Sequence, residues 1–239
     1  NSIGITEFIA IPISGFKGDN IAAQSDATSW YSGPTLMAHL EGVDLDQNTG
    51  AAQEFRMPVQ WVNRPNLDFR GFSGKIAAGT IKPGDEVRIL PSGKTSHVDR
   101  IVTYDGDLDS ATAGQSITLT LKDEVDCSCG QVITTASAPL EVADQFETTL
   151  IWMDEEALIP GRSYYLKIGA QTVSATVAEP KYQINVNTME HAAAKTLELN
   201  AIGVANVTTD RDIPFAPYAE NRTLGGFILI DKMTNATVG

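Results

Sequence analysis

The residues able to do chemistry in this chain fall into a few short clusters. Ser92-Gly93-Lys94-Thr95 ends as a phosphate-binding loop ends, but the glycine needed five positions before Gly93 is Arg88. Backbone N–H groups could not wrap a phosphate there, so the cluster reads as a hairpin turn. Asp68-Phe69-Arg70-Gly71 has the Asp-x-x-Gly spacing with which GTPases hold a magnesium-bound water, yet no phosphate loop accompanies it. Asp105, Asp107 and Asp109 alternate like the first ligands of a calcium loop. The position that should turn on a glycine is Ser110 and the bidentate glutamate position is Ser116, so a solvated acidic turn is expected.

Cys127 and Cys129 would share one side of a strand and could offer two thiolates to a soft metal. Tetrahedral zinc wants four ligands and no further Cys or His lies near in sequence, so ordinary cysteines are expected and no metal site is assigned. A disulfide between positions so close would be strained, and nothing resembles a secreted cystine framework. His39, His97 and His191 are far apart and show no metal-binding spacing. Asn206, Asn221 and Asn235 each begin an Asn-x-Thr sequon, which carries sugar only on a secreted chain. No catalytic residue is assigned from these clusters.

Composition narrows the classes further. The 239 residues are 42% hydrophobic and 20% charged, which is a folding composition and suggests about two compact units. Seventeen Lys and Arg against 30 Asp and Glu give a formal charge of −13. That field repels phosphate backbones and anionic lipid, so neither nucleic acid nor membrane is expected as a partner. No run approaches the 18 or so apolar residues of a membrane span. The chain opens Asn1-Ser2 with neither a basic nor an apolar leader region, which reads as a processed chain or an excised segment of a soluble, cytoplasmic protein. Lys17, Arg56, Arg64, Arg70, Lys75, Arg88 and Arg100 put several scarce cations in the first half, as a local positive patch or a solvated surface.

The elements that would position these residues divide at two places. Residues 1 to about 48 carry an apolar strand-like run, Phe8 to Ile13, and a short helical pattern from Pro34 to Leu40 with Gly42 past its end. This reads as the last β-α piece of an α/β domain, too small to bury a core alone. From Phe55 the pattern becomes short strands: Phe55 to Val62, Phe69 to Ala77, Glu86 to Leu90, His97 to Tyr104 and Ser116 to Leu121. Turns at Lys82-Pro83-Gly84-Asp85, Pro91-Ser92-Gly93 and Asp105-Gly106-Asp107 separate them. The weakly patterned Ala136-Ser137-Ala138-Pro139 marks a second boundary. Strands resume at Gln145 to Met153, Tyr164 to Ile168, Thr172 to Val177, Gln183 to Val186, Ile202 to Thr208 and Phe227 to Ile230. A helical turn is expected around Met189 to Lys195, and a loop at Pro214 to Pro217. Many short strands with little helix imply a barrel or sandwich.

Three stretches together resemble the large, GTPase subunit of bacterial sulfate adenylyltransferase, a relative of elongation factor Tu. They are Ile11-Pro12-Ile13-Ser14-Gly15-Phe16-Lys17-Gly18-Asp19-Asn20, Trp30-Tyr31-Ser32-Gly33-Pro34-Thr35-Leu36, and Val59-Gln60-Trp61-Val62-Asn63-Arg64-Pro65-Asn66-Leu67-Asp68-Phe69-Arg70-Gly71. The final Thr223 to Gly239 is similar to that subunit's C-terminal strand. The block from Asn63 to Gly71 separates this family from ordinary elongation factors.

The resemblance implies a mainly β fold: two consecutive β-barrels of translation-factor domain II and III type at 49–137 and 138–239, preceded at 1–48 by the C-terminal β-α remnant of a P-loop GTPase domain. It implies an enzyme of sulfate assimilation and cysteine biosynthesis. There a catalytic small subunit makes adenosine 5′-phosphosulfate from ATP and sulfate, and the large subunit couples GTP hydrolysis, with Mg, to that step in a heterodimer. The phosphate loop would lie upstream of Asn1, so this stretch alone is expected to lack GTPase activity and bound cofactor.

Ser14, Gly15 and Phe16 stand where the family has a Ser-Ala-Leu guanine contact, and Gly15 and Phe16 depart from it. Cys129 stands where an arginine is expected. A rival reading is a two-barrel binding module related to translation factors with no nucleotide link. A third is an acidic surface adhesin.

Overall fold

The computed structural model describes residues 8–43, 53–66 and 68–239. Contacts divide the chain into two compact units, Asn1–Asn48 and Thr49–Gly239. The described residues hold seventeen strands against two short α-helices, so the fold is mainly β.

In the first unit a helix, α1 (Leu36–Gly42), is capped by Thr35, whose hydroxyl accepts from the Ala38 N–H at 3.2 Å. It starts two residues later than the sequence pattern implies and takes in Gly42, because Thr35 rather than Pro34 satisfies the first free N–H groups. The strand expected over Phe8 to Ile13 does not form among the described residues. An apolar run becomes a strand only with a ladder partner, and the one bridge nearby is Ser14 with Asp19.

The second unit contains two β bodies. The first comprises β1 (Arg56–Pro58), β2 (Trp61–Asn66), β3 (Phe69–Lys75), β4 (Thr80–Ile81), β5 (Glu86–Leu90), β6 (Thr95–Thr103), β7 (Gly106–Leu108), β8 (Ala111–Thr112), β9 (Ser116–Leu121) and β10 (Val132–Thr135). Its main sheet runs β1-β10-β5-β6-β9-β3-β2, all antiparallel. The path thus begins and ends on the same stretch of chain. Val59 N–H still donates to Gln131 O at 2.8 Å while Gln60 N–H already donates to Ser73 O at 2.8 Å. Gly74 permits the turn-over, because a Cβ there would lie 2.2 Å from Pro58 O. Alternation along these strands puts Met57, Phe72, Ile89, Ile101, Leu119 and Ile133 into one core.

The second body comprises β11 (Glu141–Ile151), β12 (Ser163–Ile168), β13 (Gln171–Val177), β14 (Tyr182–Ile184), β15 (His191–Ala192), β16 (Ile202–Phe215) and β17 (Ile228–Ile230), with α2 (Arg222–Gly225) before the last strand. The order is β15-β14-β16-β13-β12-β17, and β11 pairs with β16 from Ile151↔Ile202 to Glu141↔Phe215. Its core gathers Trp152, Tyr164, Leu166, Val177, Val207 and Leu229. Two expectations are corrected here. Met189 has φ +61, which no helix accommodates, and His191–Ala192 pairs with Gln183–Ile184 instead of coiling. Pro214 and Phe215 are not loop but the end of β16, opposite Val142 and Glu141. Their side of the strand needs no proline N–H at a ladder end.

Between the two bodies lies a smaller apolar cluster of Leu90, Val132, Leu140, Ala216 and Leu224. Asn221 crosses the seam: its Nδ2 donates to Ala77 O at 3.1 Å, while its Oδ1 caps α2 by accepting from Thr223 and Leu224 N–H at 3.0 and 3.1 Å.

Candidate functional site

The densest sequence motif, Asn63 to Gly71, folds as the β2–β3 hairpin; Leu67 within it lies outside the described residues. Register runs Trp61↔Ser73, Val62↔Phe72 and Asn63↔Gly71, then shifts before Asn66↔Phe69. The irregularity falls on Arg64-Pro65, where a residue without an N–H costs no ladder bond, and it leaves Arg64 exposed. The turn is closed by the Asp68 N–H donating to Asn66 Oδ1 at 3.0 Å. Asp68 is therefore a turn residue.

Behind the hairpin the outer sheet face is small and polar. A Cβ on Gly71 would meet Thr118 Cγ2 at 2.4 Å and the Phe69 ring at 2.8 Å, so only glycine lets the aromatic lie against β9. The Ser73 and Thr118 hydroxyls bond at 2.8 Å. Together with Asn63, Phe69 and Tyr104 they line a groove of about 410 Å³. Trp61, 67% exposed, stands on the same edge strand.

Charge gathers at the base of the hairpin. Arg70 lies over the Phe72 ring, 5.5 Å from its centroid, and pairs with Asp126 at 3.6 Å; Lys94 reaches the other Asp126 oxygen at 3.7 Å. Asp126 is followed by Cys127, which is buried in the first core. Burial pushes its thiol up to about 12, outweighing the opposite pull of Arg70, so it is protonated at neutral pH and no nucleophile. Cys129 is exposed, its Sγ 3.0 Å from Gln60 O as a donor. The two thiols thus do not share a face, because residues 122–131 form a loop rather than a strand.

The remaining sequence candidates are scattered. Ser92 to Thr95 is the β5–β6 turn, with Gly93 at φ +74 and its N–H donating to Ile89 O at 2.8 Å. Asp107 is held by Arg100 through two bonds of 2.6 and 3.0 Å, which lower its carboxyl below the usual range. His39 lies on α1, His97 on β6, and His191 stacks on Tyr182 at 3.9 Å. In the first unit, Ser14 opens a tight turn. Its carbonyl accepts from Gly18 N–H at 2.8 Å, and its hydroxyl accepts from Lys17 N–H at 3.2 Å. Phe16 is 98% exposed and Gly15 has open space around it. Among the described residues the N–H groups of Gly15 and Phe16 meet no acceptor.

Three placements of charged and polar side chains escaped the sequence: Asp126 under Arg70, Asn221 at the seam, and the pair Arg162–Asp231 in the second body. Each joins residues far apart in the chain. Hydrogen bonds from Thr234 and Met233 N–H, and next the Arg162 guanidinium, hold the Asp231 carboxyl below its ordinary value.

Comparison with known proteins places these bodies. The Elongation factor Tu domain 2 family matches residues 72–134, and the GTP-eEF1A C-terminal domain-like family matches residues 145–239. "Bifunctional enzyme NodQ" of Rhizobium sp. (strain N33) is 52% identical over 99% of this chain and 36% of its own length. "Bifunctional enzyme CysN/CysC" of Xylella fastidiosa is 47% identical over 99% of the chain and 38% of its own length. "Sulfate adenylyltransferase subunit 1" of Vibrio atlanticus is 45% identical over the whole chain and 50% of its own length. The chain therefore spans half or less of the curated relatives it matches. Among solved structures, Sup35 complexed with GMPPNP superposes with a TM-score of 0.73 at 21% identity, over 95% of this chain and 56% of Sup35, a likeness of fold.

Proposed function

Because the chain belongs to the family of sulfate adenylyltransferase subunit 1, built on translation-factor-like β domains, we propose that it is the barrel half of the subunit that couples GTP hydrolysis to sulfate activation. In that reading a catalytic small subunit forms adenosine 5′-phosphosulfate from ATP and sulfate. The whole large subunit binds GTP with Mg in the cytoplasm. Residues 1–48 are the tail of its GTPase domain, and 49–137 and 138–239 are its two β domains. The observation that carries this is the 45–47% identity to proteins of that name across nearly all of the chain.

Coupling requires bodies that change their contacts when a nucleotide changes, without deforming themselves. Two β bodies welded by an apolar seam suit that task. The β2–β3 hairpin suits contact with the small subunit: its tip from Arg64 to Asn66 is exposed, its turn is closed by the Asn66–Asp68 hydrogen bond, and it carries Arg64 and Arg70. The Ser14 turn suits guanine contact, since the free N–H groups of Gly15 and Phe16 are the donors that a guanine O6 requires. Bare of its phosphate loop, this stretch hydrolyses no GTP.

The test is titration of the chain with a sulfate adenylyltransferase small subunit. Binding is expected, and Arg64→Glu with Arg70→Glu should abolish it; unchanged affinity would remove the hairpin from the interface. Assay of the longer protein should show adenosine 5′-phosphosulfate formation that depends on GTP.

A further inference from the structure

Two arginines of the first body lack the partners that the others have. Arg56 on β1 and Arg88 on β5 stand opposite the same β10 residue, Thr134, one from each side. Their strand neighbours Met57, Ile89 and Ile133 point into the first core, so Arg56, Thr134 and Arg88 form a row across the outer face of the sheet. Two strand spacings separate the arginines by about 10 Å, close enough for both guanidiniums to reach one small group. Thr134 is fully buried although it points outward, so its neighbours on that face cover it. In the next row Val132 and Leu90 pack into the seam, and Ala77, whose N–H donates to Arg56 O at 2.8 Å, gives its own carbonyl to Asn221. The arginine row therefore runs along the margin of the seam.

Both arginines are partly buried, and the Nε–H of each is sealed from solvent with no acceptor. A buried donor without a partner is costly, and more so on a charged group. Elsewhere in the chain aspartates meet this need: Arg70, Arg100, Arg162 and Arg211 each pair with one. Counter-charge is abundant, with 30 acidic residues against 17 basic ones. Among the described residues, however, no carboxylate pairs with Arg56 or Arg88. Glu86, on the same face two residues before Arg88, is exposed and makes no pair with it.

We propose that Arg56 and Arg88 form a binding site for a tetrahedral oxyanion, sulfate or phosphate, taken either as the free ion or as the terminal group of a larger molecule. A guanidinium presents its Nε–H and one terminal N–H as a parallel pair that matches two oxygens of such a group. Two fixed positive charges balance a dianion, whereas a single carboxylate would leave one of them uncompensated. The formal charge of −13 disfavours anions over the molecule as a whole, so occupancy depends on this local pair.

The experiment follows the arginine Nε–H resonances of the 239-residue chain by NMR as sodium sulfate, sodium phosphate or glycerol phosphate replaces sodium chloride at constant ionic strength. The Arg56 and Arg88 signals, identified with Arg56→Lys and Arg88→Lys, should shift together along one saturable curve, while Arg162, already held by Asp231, stays in place. Each lysine variant keeps the charge and loses the fork. It should bind sulfate about tenfold or more weakly, with its Tm in chloride showing that it is folded. Saturation by the inorganic ions alone would make the ligand a free ion, and tighter binding of glycerol phosphate would make it the end of a larger molecule. Shifts in the unaltered chain that never saturate, that follow separate curves for the two arginines, or that sodium acetate reproduces at the same concentrations would overturn the proposal.

Discussion

Residues 8–43 and the two β bodies are held together by different physics. In 8–43 the one buried residue is polar: Asn20, 1% exposed, whose Nδ2 donates to Pro12 O and Thr28 Oγ1 at 2.8 and 2.7 Å, and whose Oδ1 accepts from Ser25 N–H at 2.9 Å. None of its large apolar side chains is buried, and Phe8, Phe16, Trp30 and Leu40 are exposed. The β bodies bury their apolar side chains in two cores and a seam. A hydrogen-bonded loop scaffold keeps its shape locally but contributes little to global stability. A packed core supplies most of the global stability.

Mutations can break that contrast. Phe72→Ala empties the first core and should cost about 3–5 kcal/mol in urea unfolding, whereas Phe16→Ala should change it by less than about 0.5 kcal/mol. Equal effects would mean that the Phe16 face is covered in solution. Asn221→Ala removes both a cap and the seam bond, and should cost about 2 kcal/mol while making the bodies melt separately in calorimetry.

Asp231 gives a pH test. Its carboxyl is depressed in the folded state, so its stabilisation is complete above the ordinary carboxylate pKa of about 4 and is lost as pH falls through the lower folded value. Asp231→Asn should flatten the fall of the urea midpoint below about pH 4; an unchanged acid limb would assign that limb to other carboxylates. Asn20→Ala should speed exchange at the Ser25 amide by opening a site worth roughly 1–2 kcal/mol, with no change in the main transition. Arg100→Ala, which frees an exposed pair, should leave the urea midpoint almost unchanged and lose what little effect it has in high salt.

The same contrast explains what could be read from the sequence. Glu86 to Leu90 and Ser116 to Leu121 form strands at the expected residues, because period-two burial and flanking turn residues such as Pro83-Gly84 and Gly93 are local signals. The apolar Phe8 to Ile13 failed as a strand because strand formation depends on a partner that the run cannot specify. Pro214-Phe215 misled for the opposite reason: a proline at a ladder end is compatible with pairing. The hairpin block at Asn63 to Gly71 was legible as a unit. Its counter-charge was not, since the approach of Asp126 to Arg70 depends on how loop 122–131 crosses the sheet.

The seam between the β bodies bears on leverage. Asn221 grips Ala77 O, five apolar side chains interlock, and a Cβ on Gly130 would already sit 3.0 Å from Gln171 Cβ, leaving no slack between the parts. A torque applied to either body is thus handed to the other as rotation instead of being absorbed as bending. A push on one end of this unit displaces its far end in proportion to the distance between them.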